Sequence, residues 1–373
     1  MTEVSEPTAP WPSMRGDFAN LGRARVSPQP RGWPIRHFQT GGPVFSTPVI
    51  GADEQIYVGS ADRCFYRLDP VSGQVAWRVE TDEIIDSAAC IGPDGLIWVP
   101  GGDGRIYGFD DDGVEVWRYD RMLDRTRVTP STIYWWEGNV VLGPNGWLYA
   151  GNDDFYVYAI EPFVGVRWAT PTGLHIWGAP AFDGDLVFVA SFDRCLYALE
   201  LGSGRVRWRR NLGNFIASSP AVAHGLVIVG SFDHHVTAVA AASGRVVWRT
   251  STGGPVYASA AVDDDQVVIG SADGVLYALE LRTGAVRWTR WLGEAIRGSV
   301  AVGEHLYVPG GDGRLTCLER DGTLRWHYDT RRPGSLCNLN ASVALGRHGV
   351  ATASASGEVL YLPYGAVVET ETA

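Results

Sequence analysis

Along this chain, short apolar runs alternate with turns of Gly, Asp and Ser, and the same order keeps returning. A small-residue segment such as "SSPAV" (218–222) leads into a β-rich run such as "LVIVGS" (226–231). A turn such as "SFDR" (191–194) or "SADG" (271–274) follows, then a run such as "VLYALE" (275–280), then a Gly turn and a strand bearing tryptophan. Runs of this length, bounded by such turns, predict strands, and four in succession predict an antiparallel meander. No stretch has the apolar period of an amphipathic helix of ordinary length.

The tryptophans give the period. Gly-x-x-x-Trp occurs as "GQVAW", "GVEVW", "GRVRW", "GRVVW", "GAVRW" and "GTLRW", with a looser "FVGVRW" at 163–168. The tryptophans are Trp77, Trp117, Trp168, Trp208, Trp248, Trp288 and Trp326, separated by 40, 51, 40, 40, 40 and 38 residues. A period of this size marks stacked supersecondary units. One meander cannot bury both faces, but radial repetition packs each sheet between two neighbours, as in a β-propeller.

First-strand segments can be read at "STPVI", "SAACI", "GNVVL", "GAPAF", "SSPAV", "ASAAV", "GSVAV" and "ASVAL", which predicts an all-β, eight-bladed propeller. Only seven blades have a tryptophan strand. Either "RGWPIRHFQT" (31–40) or "GAVVETE" (365–371) must complete the eighth. The N-terminal segment is favoured, because it ties the chain ends together and hides a sheet edge. The expected organisation is a partly irregular lead-in over 1–30 and a single propeller over 31–371, closed by terminal strand exchange. The long spacing after Trp117 places a lid-like insertion at 118–138, with Arg125, Arg127, Tyr134 and Trp135 near the opening.

The units "YALELGSGRVRW" and "YALELRTGAVRW" resemble the tryptophan-docking signature of the pyrroloquinoline-quinone-like repeat family, and "WPSMRGDFANLGRA" resembles its lead-in. The resemblance implies the propeller fold over roughly residues 11–365. The family includes quinoprotein dehydrogenases, the lipoprotein scaffold of the outer-membrane assembly machine, and many propellers without quinone. Some of its dehydrogenases carry an adjacent cysteine pair by the cofactor, and its scaffold carries a lipidated cysteine. Neither feature occurs in this sequence.

Charge and cysteines narrow the picture further. A formal charge of −11 and a pI near 5.2 argue against nucleic acid as a partner, although arginine greatly outnumbers lysine. The N-terminal stretch has no basic and apolar secretory pattern, and no apolar run is long enough to span a bilayer. The expectation is a cytoplasmic protein with no membrane partner, or a periplasmic one if a leader has been removed. Cys64, Cys90, Cys195, Cys317 and Cys337 are scattered, which predicts reduced, packed thiols and no structural zinc.

In a repeat protein, residues that break the recurrence are the functional candidates. The turn aspartates Asp62, Asp103, Asp154, Asp193, Asp233, Asp273 and Asp312 recur and are read as caps of backbone amides. One position ahead of each first strand is always apolar: Val44, Ile85, Trp136, Ile176, Ile216, Val256, Ile296 and Leu339. The next position varies most: Phe45, Asp86, Glu137, Trp177, Ala217, Tyr257, Arg297 and Asn340. A second varied column, two residues earlier, includes Trp135, His175 and Phe215. A turn column containing Arg63, Arg194, His234 and, in blade 8, Glu358 is expected on the same mouth of the channel. Such mouths are preferred ligand sites.

Glu137 and Asp86 are the expected acid–base pair, Glu137 raised in pKa beside tryptophan, with Arg297 opposite and His175 as a proton shuttle. Phe45, Trp135, Trp177 and Tyr257 supply apolar walls, and Asn340, Arg63, Arg194 and His234 further ligand contacts. No metal site is expected. Calcium through Glu137, Asn139 and Asn340 lacks a loop motif, and no phosphate loop or nucleophile elbow occurs. The leading expectation is a propeller binding a small organic molecule at the channel mouth, with quinone-independent acid–base catalysis. The alternatives are a non-enzymatic scaffold gripping a protein partner, and a quinone-dependent dehydrogenase.

Overall fold

The computed structural model describes residues 8–123, 136–331 and 338–366. Among them there is no helix, and the strands form eight four-stranded antiparallel sheets. Blades 1 to 7 span Val49–Glu80, Cys90–Asp120, Val141–Pro171, Ala181–Asn211, Ala221–Ser251, Ala261–Trp291 and Ala301–Asp329. Each runs from inner to outer strand in chain order. Inner strands of neighbouring blades approach one another, and that of blade 8 meets that of blade 1, so the ring is closed.

Blade 8 takes three strands from Ala344–Pro363 and its outermost from Arg36–Gln39. Arg36 pairs with Tyr361, and Gln39 with Glu358. The N-terminal segment therefore completes the propeller, as its sequence position predicts.

The recurrent tryptophans dock one blade on the next. The Trp248 indole N–H donates to the Leu281 carbonyl at 2.8 Å, and its ring lies over Gly284, where a Cβ would come within 2.6 Å. Gly284 has φ +70°, so both conformation and close approach demand glycine there. Trp168 over Gly204 and Trp208 over Gly244 repeat the arrangement. The junction of blades 2 and 3 departs from it. Gly165 has nothing within 4 Å of its Cβ direction, and Trp117 packs instead near Phe163 (6.2 Å) and Trp98 (5.6 Å). The loosened "FVGVRW" repeat is the sequence trace of this change.

The turn aspartates are structural. Asp193 Oδ1 accepts from the Cys195 amide at 2.9 Å, while Oδ2 accepts from the Gly173 amide at 2.8 Å and from the Tyr197 hydroxyl. Asp62 and Asp273 do the same in their blades. Most of insertion 118–138, including Trp135, lies outside the described residues. Its start is anchored by Arg121, buried and 2.7 Å from the buried Asp154 carboxylate of blade 3.

The lead-in is more ordered than its irregular sequence implies. The amides of Ile50, Ile91, Phe182, Val222, Val262 and Val302 donate to the carbonyls of Trp11, Pro12, Phe18, Ala19, Leu21 and Gly22. These amides sit at the far ends of six inner strands, so the segment crosses one mouth of the channel, touching blade after blade. Arg15 is wholly buried and donates to the carbonyls of Ala260 (3.1 Å) and Val300 (2.9 Å). Desolvation brings its pKa down to about 10, partly offset by Asp17. The Asn20 amide donates to the carbonyls of Ala179, Pro180 and Pro220. One end of the channel is covered in this way, and the candidate site lies at the other.

Candidate functional site

The eight residues of the constant apolar column, from Val44 to Leu339, are all essentially inaccessible and form the inter-blade packing. Their variable neighbours stand at the mouth. Backbone bonds tie this approach segment to the turn between the second and third strands: Phe192 N–H donates to His175 O, Phe232 to Phe215 O, and Ala272 to Pro255 O. The residue brought to the mouth by these bonds is the one before the turn aspartate. It is small in five blades (Ala61, Gly102, Ala272, Gly311 and, before Ser356 in blade 8, Ala355) and large or charged in the other three (Asp153, Phe192 and Phe232). Those three belong to blades 3, 4 and 5.

Asp86 of blade 2, Glu137 and Asp153 of blade 3 and His175 of blade 4 come together. His175 Nδ1 lies 3.3 Å from Asp153 Oδ1, too poorly aligned for a hydrogen bond. Burial, then the charges of Asp153 and Asp86, pushes Glu137 up to about 7, with His175 opposing. Asp153 is pushed up to about 6, chiefly by burial, with the Trp177 indole opposing and the charges of Asp86 and Asp154 adding. Burial also raises Asp86. Glu137 and Asp153 share a hydrogen bond, so they titrate as a pair near neutral pH. Among the described residues no arginine pairs with any of the three carboxylates. The sequence identified Asp86, Glu137 and His175, and it missed Asp153.

Beside the acids runs an arc of aromatic rings. Trp177 lies 4.3 Å from Phe192, Phe192 5.6 Å from Phe215, Phe215 6.2 Å from Phe232, and Phe232 4.5 Å from Tyr257. The arc crosses blades 4, 5 and 6 and ends under the Arg297 guanidinium of blade 7, 5.3 Å above the Tyr257 ring. Trp177 is 39% and Phe215 36% exposed. Sequence reasoning selected Trp177, Tyr257 and Arg297 but not Phe192, Phe215 or Phe232. The repeat comparison that found Trp177 finds Phe192 and Phe232 when applied one residue before the turn aspartate.

The remaining candidates are dispersed. Phe45 is exposed on blade 1 and Asn340 half-buried on blade 8, both on the mouth but outside the acid–aromatic arrangement. Arg63, Arg194 and His234 occupy the tip of the turn at φ +69°, +73° and +64°, and all three are exposed. Arg63 pairs with Glu80 of its own outer strand at 3.3 Å. In blade 8 this tip is Gly357 rather than Glu358, since Ser354 N–H donates to Glu358 O just as Ser60 N–H donates to Cys64 O. Among the described residues no group of His, Cys, Asp and Glu is placed to hold a metal ion.

The fold and docking pattern define an eight-bladed propeller of tryptophan-docked repeats with one mouth covered and one bearing exposed aromatics. A family model described as outer membrane protein assembly factor BamB matches residues 21–172, 153–255 and 232–367, and the chain belongs to that family of PQQ-like repeats. No curated protein matches the sequence. The crystal structure of BamB from Moraxella catarrhalis is similar with a TM-score of 0.68 at 16% identity, covering 90% of this chain and 99% of that one. The computationally designed Ika8 protein is similar with a TM-score of 0.71 at 14% identity, covering 87% and 97%. At these identities the two structures speak for the fold.

Proposed function

We propose that this chain is a non-enzymatic scaffold that grips a segment of a protein partner at the mouth opposite the lead-in. The observation that carries this reading is the continuous, half-exposed aromatic arc from Trp177 to Tyr257 across three successive blades. Contiguous exposed apolar surface with a polar border marks interaction sites, and Trp and Tyr are the favoured anchors of protein interfaces. The family name, an assembly factor, points in the same direction.

Trp177, Phe215 and Tyr257 replaced together by alanine should leave the blades intact, because the buried packing column beneath them is untouched. Proteins that co-purify with the full chain from its own cells should then fall by roughly tenfold or more, the loss expected of anchor residues. Partners retained unchanged by the triple variant would count against the mouth as the docking surface.

A second reading is favoured by one observation: Glu137 near 7 beside Asp153 near 6 is an acid–base pair poised for neutral pH. In that reading a small organic molecule occupies the mouth, and Glu137→Gln abolishes its turnover. Neither reading uses quinone or calcium.

A further inference from the structure

We propose that the open mouth selects a partner segment whose leading anchor is a cationic side chain, lysine or arginine, followed by apolar residues. This rests on the scaffold reading above and adds the chemistry of the partner. Asp86, Glu137 and Asp153 converge from two blades, and among the described residues their only basic neighbour is His175. Asp153 is 4% exposed, and its Oδ1 has no hydrogen-bond partner. That oxygen faces only the His175 ring nitrogen, 3.3 Å away and not hydrogen-bonded, and a cation supplied by a ligand to the three clustered carboxylates lowers the cost of their burial.

The neighbouring surface fits the rest of such a segment. The Trp177 indole reaches Asp153, and Phe192 packs on Trp177 with its ring 6.5 Å from that of His175, so a lysine or arginine entering there lays its methylene stem on aromatic faces and its head among the carboxylates. Phe215, Phe232 and Tyr257 continue the wall for the apolar residues that follow. Arg297, at the far end over Tyr257, pairs with no carboxylate among the described residues and is the counterpart for an acidic group of the partner segment. The recognised pattern is therefore directional: a cation over blades 2 to 4, apolar side chains over blades 4 to 6, and an anion at blade 7. A small organic cation would satisfy the acids but leave most of the arc uncovered.

The sequence makes one test unusually clean, because all 31 cationic residues are arginine and no lysine occurs in the chain. Random heptapeptides displayed on phage are selected on the full protein, and the enriched sequences are synthesised for affinity measurement. Enrichment of lysine or arginine next to apolar residues is expected. Affinity should fall roughly tenfold or more in Glu137→Gln with Asp153→Asn, and likewise in Phe215→Ala with Phe232→Ala. Carbodiimide coupling of a lysine-bearing peptide should join it to Asp86, Glu137 or Asp153, with no internal lysine to compete.

Three results overturn the proposal, and they separate its parts. Peptides that keep their affinity for the Glu137/Asp153 variant, yet lose it for the Phe215/Phe232 variant, would remove the cation and leave the docking surface. Peptides indifferent to both variants would remove the docking surface as well. A selection that returns no binder would do the same.

Discussion

Deleting residues 1–40 is expected to abolish cooperative folding. The deletion removes the outermost strand of blade 8, leaving a three-stranded blade with Glu358–Pro363 as its exposed outer edge. It also removes the segment that crosses the far ends of six inner strands, together with Trp11 and Arg15, both wholly buried. Loss of one buried tryptophan costs about 3–5 kcal/mol, of the order of a domain's whole stability margin. Open edges also invite pairing with other chains. Urea unfolding followed by fluorescence should show a broad, low transition, and size-exclusion chromatography should show aggregates. A shorter deletion, of residues 1–24, keeps the closing strand and should fold with a lowered midpoint. If the chain lacking 1–40 unfolds like the intact protein, neither the closing strand nor the lead-in holds the ring together.

Glu137→Gln is expected to stabilise the protein at pH 8 and leave it unchanged near pH 4. In the fold the Glu137 carboxyl titrates at about 7, against an ordinary value of 4.5. Below the ordinary value it is protonated in both folded and unfolded chains and contributes nothing. As pH rises, the unfolded chain ionises first, so the fold loses stability until the folded carboxyl also ionises. Above neutral pH the folded state holds a charge facing Asp86 and Asp153, with His175 as the one opposing group. Shared with Asp153 and screened by solvent at this half-buried position, the cost is about 1–2 kcal/mol, a melting shift of a few degrees. A neutral, isosteric glutamine removes it. A variant less stable than the parent at every pH would make Glu137 a structural residue and not a strained site group.

The same pKa values bear on binding. A cationic segment needs the pair ionised, so its affinity should be full at pH 8 and should weaken as pH falls through about 7 and 6. Stability and affinity therefore move in opposite directions across the same interval. This is the behaviour of charges kept for a ligand.

The fold was legible because docking is periodic. Each Gly-x-x-x-Trp unit reports one blade junction, and the count of first-strand segments against tryptophans exposed the missing outer strand of blade 8. Even the exception was visible, since "FVGVRW" loses the spacing and Gly165 loses its tryptophan. The lead-in was not legible. Arg15 and Asn20 each serve carbonyls of different blades, so their contacts leave no period in their own stretch of chain.

The site was half legible for a geometric reason. Glu137, Asp86, His175, Trp177, Tyr257 and Arg297 occupy approach columns that reach the mouth directly. The turn was read at its tip, Arg63, Arg194 and His234, where a positive φ accompanies an exposed side chain. The residue before the aspartate is bonded back to the approach segment in blades 4 and 5, where it is Phe192 and Phe232, and in blade 3 the same position is Asp153. Asp153 is adjacent to the recurrent Asp154, so its neighbour's structural role masked it.

On the scaffold reading this mouth holds a polypeptide. Photo-crosslinking tests it most directly, with benzoylphenylalanine placed at Phe215 in the arc and, as a comparison, at Trp291, which is 70% exposed on the outer strand of blade 6. An adduct with a partner polypeptide is expected from position 215 and none from position 291. An adduct from 291 alone, or none from 215, would contradict that reading.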